Sequence, residues 1–535
     1  MKMMTSQLVL PALIDAQESD PLVRFGFVHR GPSGVTSLLP LGYRVVRNIE
    51  AIIRDELVTL GAQEILLPVL QPASLWRQPL GASGTRADAF GAGLLHLRDR
   101  FGDELVLAPS HEELAAQVAS GFVAAADDLP KTIFQIQLRF RDETAAGTLF
   151  RSREFLMADA YSFYPTAAMM EEGYRTQASI LCSVVERCGL SADLARADSG
   201  AMGGGISHEV IARTPGLGHP VAVRCERCDD FASLEVAQAD LVGTASSLSP
   251  FSVTAFVSKD QLVLVAAPAR RMIHETKLSS ALRRTGIALG TLRLATASDL
   301  AKHGAVPRWT VLAELPNDAI VVIDESIGGE LMGSTSAADG ISRVEVSSYV
   351  RVDVCDDVVV AVEGDACRRC RGVLREVHGI EVGHIFQLGT QYTAAFGPVL
   401  DVAGTPTPVE MSCAGLGVTR LAAVIAAVHR TPDGIRWPTT VAPFDVLVGG
   451  EEVEAARTAS DVLSTAGFDV LVDDRSADVD RSRSTASRLG LSVHVWTGDF
   501  GEVHVEHVWD GQAIERVTPD QLVACVGRAL GVPSP

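Results

Sequence analysis

The 535-residue sequence lacks several features that would restrict its class. No apolar run reaches the ~18 residues that indicate a membrane span, so no membrane segment is expected. Positively charged residues are fewer than negatively charged ones: 46 Lys and Arg against 66 Asp and Glu give a formal net charge of −20. Contacts with a nucleic acid would therefore depend on local clusters of arginine rather than on the field of the whole protein.

Cysteine is scarce, and its arrangement does not indicate a disulfide framework. The nine cysteines are an odd number, and four of them form two CxxC pairs, a pattern that favours reduced thiols and a metal ion. The N-terminal segment has one early lysine, Lys2, and an acidic Asp15 soon after a short apolar run, which is atypical of a signal peptide. The cytoplasm is the expected compartment, and the length predicts three or four domains.

The most informative segment is 134–163, FQIQLRFRDETAAGTLFRSREFLMADAYSF. Its first half alternates, which predicts a strand with one buried face and one polar face; the apolar positions are Phe134, Ile136, Leu138 and Phe140. The polar face ends in Arg141 and Glu143, side by side at the mouth of a predicted hairpin. A guanidinium suits phosphate and a carboxylate suits an amino group, so the pair indicates a nucleotide site. An exposed surface ion pair is the alternative.

Six segments resemble, in the right order, conserved blocks of the bacterial prolyl-tRNA synthetases, which are class II aminoacyl-tRNA synthetases. Arg141-Asp142-Glu143 resembles motif 2, and Gly61–Pro72 resembles motif 1, with Pro68 at the proline that ends its strand. The other matching blocks are APSHEE (108–113), DSGAMGGGISHE (198–209), GIEVGHIFQLGTQY (379–392) and MSCAGLGVTR (411–420, motif 3). Any one of these blocks alone would be a weak signal, but six in order are specific.

The resemblance implies an α/β multidomain fold. A class II antiparallel sheet flanked by helices would carry an inserted editing-like α/β domain and a C-terminal α/β anticodon-binding-like domain. The expected bounds are 1–222 and 374–440 for the catalytic domain, 223–373 for the insertion and 441–535 for the last domain. Motif 1 is predicted to begin on an amphipathic helix, because apolar residues recur at helical spacing: Ile49, Ile52, Ile53, Leu57 and Leu60. In class II enzymes this element lies at the dimer interface, so a homodimer is implied.

The implied activity is that of a proline–tRNA ligase. The proline carboxylate would attack the α-phosphate of ATP, and the prolyl group would then pass to tRNA(Pro). Catalysis would consist of positioning and charge neutralisation. Arg141 would bridge the amino-acid carboxylate and the α-phosphate, and Arg420 would hold the γ-phosphate end. Glu143, Phe155 and Gln387 complete the implied ATP site, and Mg²⁺ is expected with the triphosphate.

The implied proline pocket must recognise a secondary ammonium and a small apolar ring. Its residues by resemblance are Ser110, Glu112, Arg141, Glu209, His384 and Cys413. Glu112 supplies charge for the ammonium, and Ser110 keeps the hydroxyl of the family's usual threonine. His384 as a core histidine and Cys413 as an inert packing residue remain alternatives. No Lys-Ser/Thr follows the glycines 203–205, which are interpreted as a tight turn under the pocket rather than a phosphate loop.

Two CxxC pairs bound the insertion. Cys225, Cys228, Cys367 and Cys370 are expected to form a closed tetrahedral thiolate site for a structural Zn²⁺; four reduced, metal-free thiols are the alternative.

The chain departs from the family where tRNA is expected to bind. The turn 144–150 lacks the usual Arg-Pro-Arg, so its contacts with the acceptor end are in doubt. In the insertion, Val253 stands at the family's functional lysine, and no histidine occurs in 304–377, so editing is expected to be weak or lost. The last domain lacks the usual Pro-Gly turn, so anticodon recognition is in doubt, although three arginines there can still meet phosphates: Arg481, Arg483 and Arg488.

These departures leave three hypotheses. The first is a proline–tRNA ligase. The second is a paralogue that activates proline but passes it to a carrier protein, a small molecule or an atypical tRNA, or a self-resistance copy. The third is a non-catalytic protein on the same fold, which the retained site residues argue against.

Overall fold

The computed structural model divides the chain into two compact units. Unit 1 comprises Met1–Ala73, Gly93–Asp193 and Phe396–Pro535, and unit 2 comprises Ser74–Ala92 and Leu194–Ala395. The structure describes residues 2–8, 18–80, 84–142, 149–242, 251–287, 289–303, 318–327, 331–334, 341–344, 352–475, 477–498, 502–509 and 515–531.

A sheet with helices packed on it forms the body of unit 1. Lys131–Phe140 and Glu154–Tyr164 form the predicted antiparallel hairpin, flanked by Glu410–Gly417 and, in parallel, by the short Gln63–Glu64. The main helices are Pro40–Thr59, Glu112–Ala119, Ala167–Arg187 and Val418–Val428. Smaller elements are the strands Val28–Arg30, Thr36–Leu38, Leu70–Pro72, Leu95–Arg98, Glu104–Leu107, Val399–Val402 and Thr405–Pro408 and the helix Pro21–Arg24. The amphipathic motif 1 helix is confirmed, because its apolar stripe is buried from Leu41 to Leu57.

The expectation that Pro68 ends the motif 1 strand is wrong. That strand is Gln63–Glu64, and Pro68 lies beyond its end. The backbone ladder stops because Leu67 N donates to the side chain of Gln135 (3.0 Å) rather than to a backbone carbonyl.

The predicted strand Lys131–Phe140 and its polar face are confirmed, but burial does not follow the predicted division into one buried and one polar face. Gln135 and Arg139 on the polar face are fully buried, while Ile136 and Leu138 on the apolar face are half-buried. The polar face can be buried because its groups have partners inside the protein: Gln135 accepts from Leu67 N (3.0 Å), and Arg139 forms an ion pair with Asp159.

The C-terminal part of unit 1 has its own six-stranded sheet. In spatial order its strands are Lys2–Met4, Val470–Val472, Val446–Gly450, Val493–Thr497, Val503–His507 and Glu515–Val517. The first four are parallel, as the crossover helices Val453–Thr465 and Val479–Leu489 require, and Leu522–Leu530 follows. The alternation of strands and helices was predicted, but the edge strand Lys2–Met4 was not, because three residues carry no readable period.

Unit 2 contains two larger sheets. The first consists of Ala192–Ala197, Ile206–Arg213, Pro220–Cys225, Phe231–Ser233 and Leu374–Gly389. The second, in the insertion, consists of Arg293–Leu294, Phe251–Ser258, Gln261–Pro268, Ile320–Asp324 and Val354–Asp356. Other elements are the helices Ala73–Trp76, Arg86–Phe90, Glu275–Arg284, Ala297–Lys302 and Gln391–Phe396 and the paired strands Ala239–Asp240 with Ala366–Cys367 and Leu331–Ser334 with Ile341–Val344. Within the part of the chain that the structure describes, no helix is both long and apolar enough to cross a membrane.

Candidate active site

One face of the unit 1 sheet gathers several candidate residues. Directly opposite residues in an antiparallel pair point to the same side, and the register places Arg139 opposite Phe155, and Tyr161 opposite Cys413. Because alternate residues share a face, Asp159 joins them. The expected ATP contact Phe155 and the expected proline contact Cys413 therefore lie on one surface.

Arg141 follows the first strand of the hairpin. Its backbone N donates to Arg153 O (2.9 Å), which continues the hairpin pairing, and its Nη2 donates to Pro109 O (3.3 Å). The guanidinium carbon lies 5.3 Å from the centre of the Phe155 ring. The guanidinium is thus held between the hairpin and the segment that carries Ser110 and Glu112.

Arg420 lies in the first turn of the helix Val418–Val428, after the glycine-containing strand of motif 3. Its Nε donates to Phe150 O (3.0 Å). Both candidate catalytic arginines therefore bond to the same short connection, 150–153, at the mouth of the hairpin.

The segment that precedes the helix Glu112–Ala119 is buried. Ser110 and Glu112 are 6% and 4% exposed. Between them, His111 Nε2 lies 3.0 Å from Pro68 O, and burial, together with the charge of Arg139, lowers the pKa of His111 to about 3. The ring is therefore neutral at physiological pH, and its N–H donates to the carbonyl, which fixes the turn leading to Glu112.

Three further candidates lie in unit 2: Glu209, His384 and Gln387. Glu209 and His384 are directly opposite each other on the antiparallel strands Ile206–Arg213 and Leu374–Gly389. A bulge between Val210 and Ile211 shifts the register, and the ligand atoms of Glu209, Glu381 and His384 all lie within 4.8 Å of one another. Phe386 stacks on the imidazole of His384, with ring centres 4.1 Å apart.

Gln387 lies on the same strand as His384 but three residues away, so its side chain points to the opposite face of the strand pair. Its role in ATP binding stays a prediction. Its backbone supports the glycine turn: Gly205 N donates to Gln387 O (3.1 Å), and a Cβ on Gly204 (φ +87°) would lie 2.2 Å from that oxygen. Only glycine fits there, which agrees with the tight turn expected at 203–205.

The four CxxC sulfurs come together in unit 2. All lie within 4.8 Å of one another, with Cys225 Sγ 3.4 Å from Cys370 Sγ and Cys228 Sγ 3.8 Å from Cys367 Sγ. Four sulfurs at a Zn–S distance of about 2.3 Å in a tetrahedron would be about 3.8 Å apart, so the donor set fits a zinc ion.

The backbone around these cysteines is shaped to hold thiolates. Arg227 N and Gly372 N each donate to a cysteine sulfur (3.4 Å). Burial opposes ionisation of Cys225, but hydrogen bonds from the N–H groups of Arg227 and Cys228 lower its pKa to about 7. A residue with positive φ follows each pair, Asp229 (+53°) and Arg371 (+62°), so the two knuckles have matching turns.

Glu143 and the turn residues 144–148 lie outside the described residues. A buried group beside the pocket, Arg139 with Asp159 and Tyr161, was not predicted from the sequence. The alternating pattern indicates a strand, but a buried arginine paired with a distant aspartate has no local sequence signal.

The fold and the site define a class of protein. A sequence model of the tRNA synthetase class II core domain (G, H, P, S and T) matches residues 95–429, which is most of the chain, and the chain belongs to the class II tRNA synthetases. A prolyl-tRNA synthetase from Cryptosporidium parvum, solved with L-proline and AMP, shares this fold with a TM-score of 0.58 and 12% identity over 96% of this chain and 74% of that one.

Sequence relatives narrow the class. A proline–tRNA ligase from Thermoanaerobacter pseudethanolicus is 33% identical, covering 94% of this chain and 95% of its own length. A proline–tRNA ligase from Bacillus subtilis is 30% identical, covering 97% and 98%. The chain is therefore a member of the bacterial-type prolyl-tRNA synthetase family, a family of aminoacyl-tRNA ligases.

Proposed function

We propose that this chain is a proline–tRNA ligase that activates L-proline with ATP and transfers it to tRNA(Pro). The observation that supports this most is the anchoring of Arg141 and Arg420 to the same connection, 150–153, of the motif 2 hairpin. The backbone N–H of Arg141 and the guanidinium of Arg420 make these bonds, and the Arg141 guanidinium itself donates to Pro109 O. Two arginines anchored in this way suit an extended triphosphate, with Arg141 on the α-phosphate and the amino-acid carboxylate, and Arg420 at the γ-phosphate end.

Each remaining site residue has a role by its chemistry. Ser110 and Glu112 would bind the proline ammonium, and Cys413 would contact the ring; Glu209 and His384 are proposed for the same substrate. Phe155 and Glu143 would hold the adenosine part. Mg²⁺ bound to the triphosphate would neutralise part of its charge, whereas the protein groups orient the carboxylate for in-line attack.

We further propose that editing of mischarged tRNA is weak or lost. Val253 packs against an apolar cluster that contains Leu262, Leu264 and Ala319. An aliphatic side chain in that surrounding offers no cation to a tRNA phosphate.

The alternative of a proline-adenylating paralogue is favoured by one observation in the last domain. Arg483, one of three arginines expected to meet tRNA phosphates, is engaged with Glu506 Oε1 and Asp480 Oδ1, both at 2.7 Å. Its charge is already neutralised, which reduces the positive surface for an anticodon stem.

Two assays with purified protein separate these hypotheses. Proline-dependent exchange of pyrophosphate into ATP, with alanine as the control amino acid, tests activation. Charging of the organism's own tRNA(Pro) tests transfer. Exchange with charging supports the ligase, exchange without charging supports the paralogue, and absence of exchange contradicts both.

The remaining assignments are also proposals. The division at 222, 373 and 440 into a split catalytic domain, an insertion and an anticodon-binding-like domain follows the family. A structural Zn²⁺ is proposed for the four-cysteine site, whose thiols would stay reduced in the cytoplasm. Dimerisation is proposed through motif 1.

A further inference from the structure

We infer that Arg139, Asp159 and Tyr161 form a buried layer that positions the Glu112 carboxylate and keeps its negative charge available to the ammonium group of proline. All three are then positioning residues that act through Glu112. The inference rests on the proposed function and deepens it, because it names the residues that set the affinity of the pocket for the ammonium end of proline.

The layer is a hydrogen-bonded unit that is almost fully buried. Arg139 Nη2 forms an ion pair with Asp159 Oδ2, and the Tyr161 hydroxyl donates to the same oxygen (2.8 Å). Arg139 Nη1 donates to Leu138 O (2.8 Å). The side chain of Arg139 is 0% exposed and that of Asp159 is 7% exposed. A buried arginine of this kind persists only where its charge is compensated.

The layer adjoins the pocket through two connections. Tyr161 lies directly opposite Cys413 in the sheet. Phe140 N donates to Ala108 O (3.1 Å), which ties the strand of Arg139 to the segment that leads to Glu112. Charge interactions also connect the layer to Glu112. Burial lowers the pKa of Arg139, and the negative charge of Glu112 opposes that shift. Burial raises the pKa of Tyr161, and the charge of Glu112 raises it further.

The sum of charges explains why the layer matters. Arg139 and Asp159 cancel and His111 is neutral, which leaves the carboxylates of Glu112 and the adjacent, equally buried Glu113. Of these two, Glu112 is the one assigned to the ammonium group of proline. Without the Asp159 charge, Arg139 would attract Glu112 instead and compete with the substrate for it. Arg141, whose charge also acts on Arg139, is assigned to the carboxylate and phosphate.

The test is a set of exchange assays on Asp159→Asn, on the double variant Arg139→Gln/Asp159→Asn and on Tyr161→Phe. Asp159→Asn is expected to raise the KM for proline at least about tenfold, because a buried charge is left to compete for Glu112. The KM for ATP should change by less than about twofold, since the phosphates are held elsewhere. The double variant removes both charges and should return the KM for proline to within about threefold of wild type.

Tyr161→Phe removes one hydrogen bond to Asp159 and should raise the KM for proline a few-fold without disturbing folding. Glu104→Gln is the matched control, because it breaks an exposed ion pair with Arg98 in the same unit. Thermal melting of each variant shows whether it is folded. If Asp159→Asn fails to fold, the KM values for proline of the double variant and of Tyr161→Phe test the inference.

Three results would overturn the inference. They are an unchanged KM for proline in the folded single variants, equal rises in both KM values, and no recovery in the folded double variant. Wild-type protein that shows no proline-dependent exchange would overturn the proposed function and the inference together. Wild-type exchange with unaffected variants overturns the inference alone.

Discussion

Arg141 combines a backbone that the hairpin fixes with a guanidinium whose Nη2 donates a long hydrogen bond to Pro109 O (3.3 Å). The backbone of the hairpin holds its position, so the side chain is not needed to keep the strands together. This separation of structural and chemical roles makes it the most informative residue to change.

Arg141→Ala should lower proline-dependent pyrophosphate exchange at least about 10²-fold, because a fixed cation that neutralises developing charge is removed. The thermal midpoint should change little. Arg98→Ala, which removes a 69% exposed guanidinium, is the control and should leave exchange unchanged. Exchange that survives Arg141→Ala would refute the assignment of the site.

Individual residues were predictable where chemistry and motif agree. Ser110, Glu112 and Cys413 are assigned to the pocket from their blocks and stay predictions there, and the strand register places Cys413 on the same face of the sheet as Phe155. Arg139 was not, because its partner Asp159 is on the neighbouring strand opposite Gln135, and the long side chain of Arg139 reaches along the shared face to it. Gln387 shows what a motif match leaves undetermined, because the match does not say which face of a strand a side chain occupies.

Among the structural elements, the paired cysteine knuckles are the clearest case of a sequence pattern that defines geometry. Purified protein should contain about one zinc ion per chain, and Cys367→Ser should lower this content, because three thiolates and a hydroxyl bind zinc more weakly. Cys355→Ser, an exposed cysteine outside the site, is the control. Full zinc content in the Cys367 variant would contradict the four-ligand site.

The helix Val479–Leu489 is held by a buried chain of polar groups. Ser482 Oγ lies 3.1 Å from His494 Nε2, and His494 Nδ1 lies 2.7 Å from Glu506 Oε1. Burial opposes ionisation, but hydrogen bonds from His494 and Arg483 lower the pKa of Glu506 to about 2. Because the folded value lies below the ordinary 4.5, this stabilisation is present above pH 4.5 and is lost as the pH falls toward 2.

Glu506→Gln should therefore weaken this helix at neutral pH, by about 1–3 kcal/mol, because the buried partners lose a charged acceptor. Hydrogen exchange of peptides that cover 479–489 should become faster in the variant. The difference from wild type should shrink at pH 3, where wild-type Glu506 begins to protonate. Equal exchange rates at pH 7 would rule out a stabilising role for the carboxylate.

For the molecule as a whole, the apolar surface near motif 1 bears on assembly. Leu66, Val58 and Tyr43 are 74%, 60% and 50% exposed in the single chain, and an interface with a second subunit would remove such side chains from water. If they lie in a dimer interface, Leu66→Glu should shift the protein toward a monomer in analytical ultracentrifugation. Phe101→Glu, at another exposed apolar residue (83%), is the control. A monomeric wild type would contradict dimerisation through motif 1.

The strand Lys2–Met4 has a consequence for how the protein is made. It pairs with Val470–Val472, and Thr5 Oγ1 donates to Asp474 Oδ1 (2.8 Å) across 469 positions of sequence. The strand Lys2–Met4 must therefore remain without its partner until the ribosome has also synthesised and released the segment 470–474. This edge of the sheet can close only after synthesis of the two parallel strands that separate Lys2–Met4 from Val493–Thr497 in the sheet has been completed.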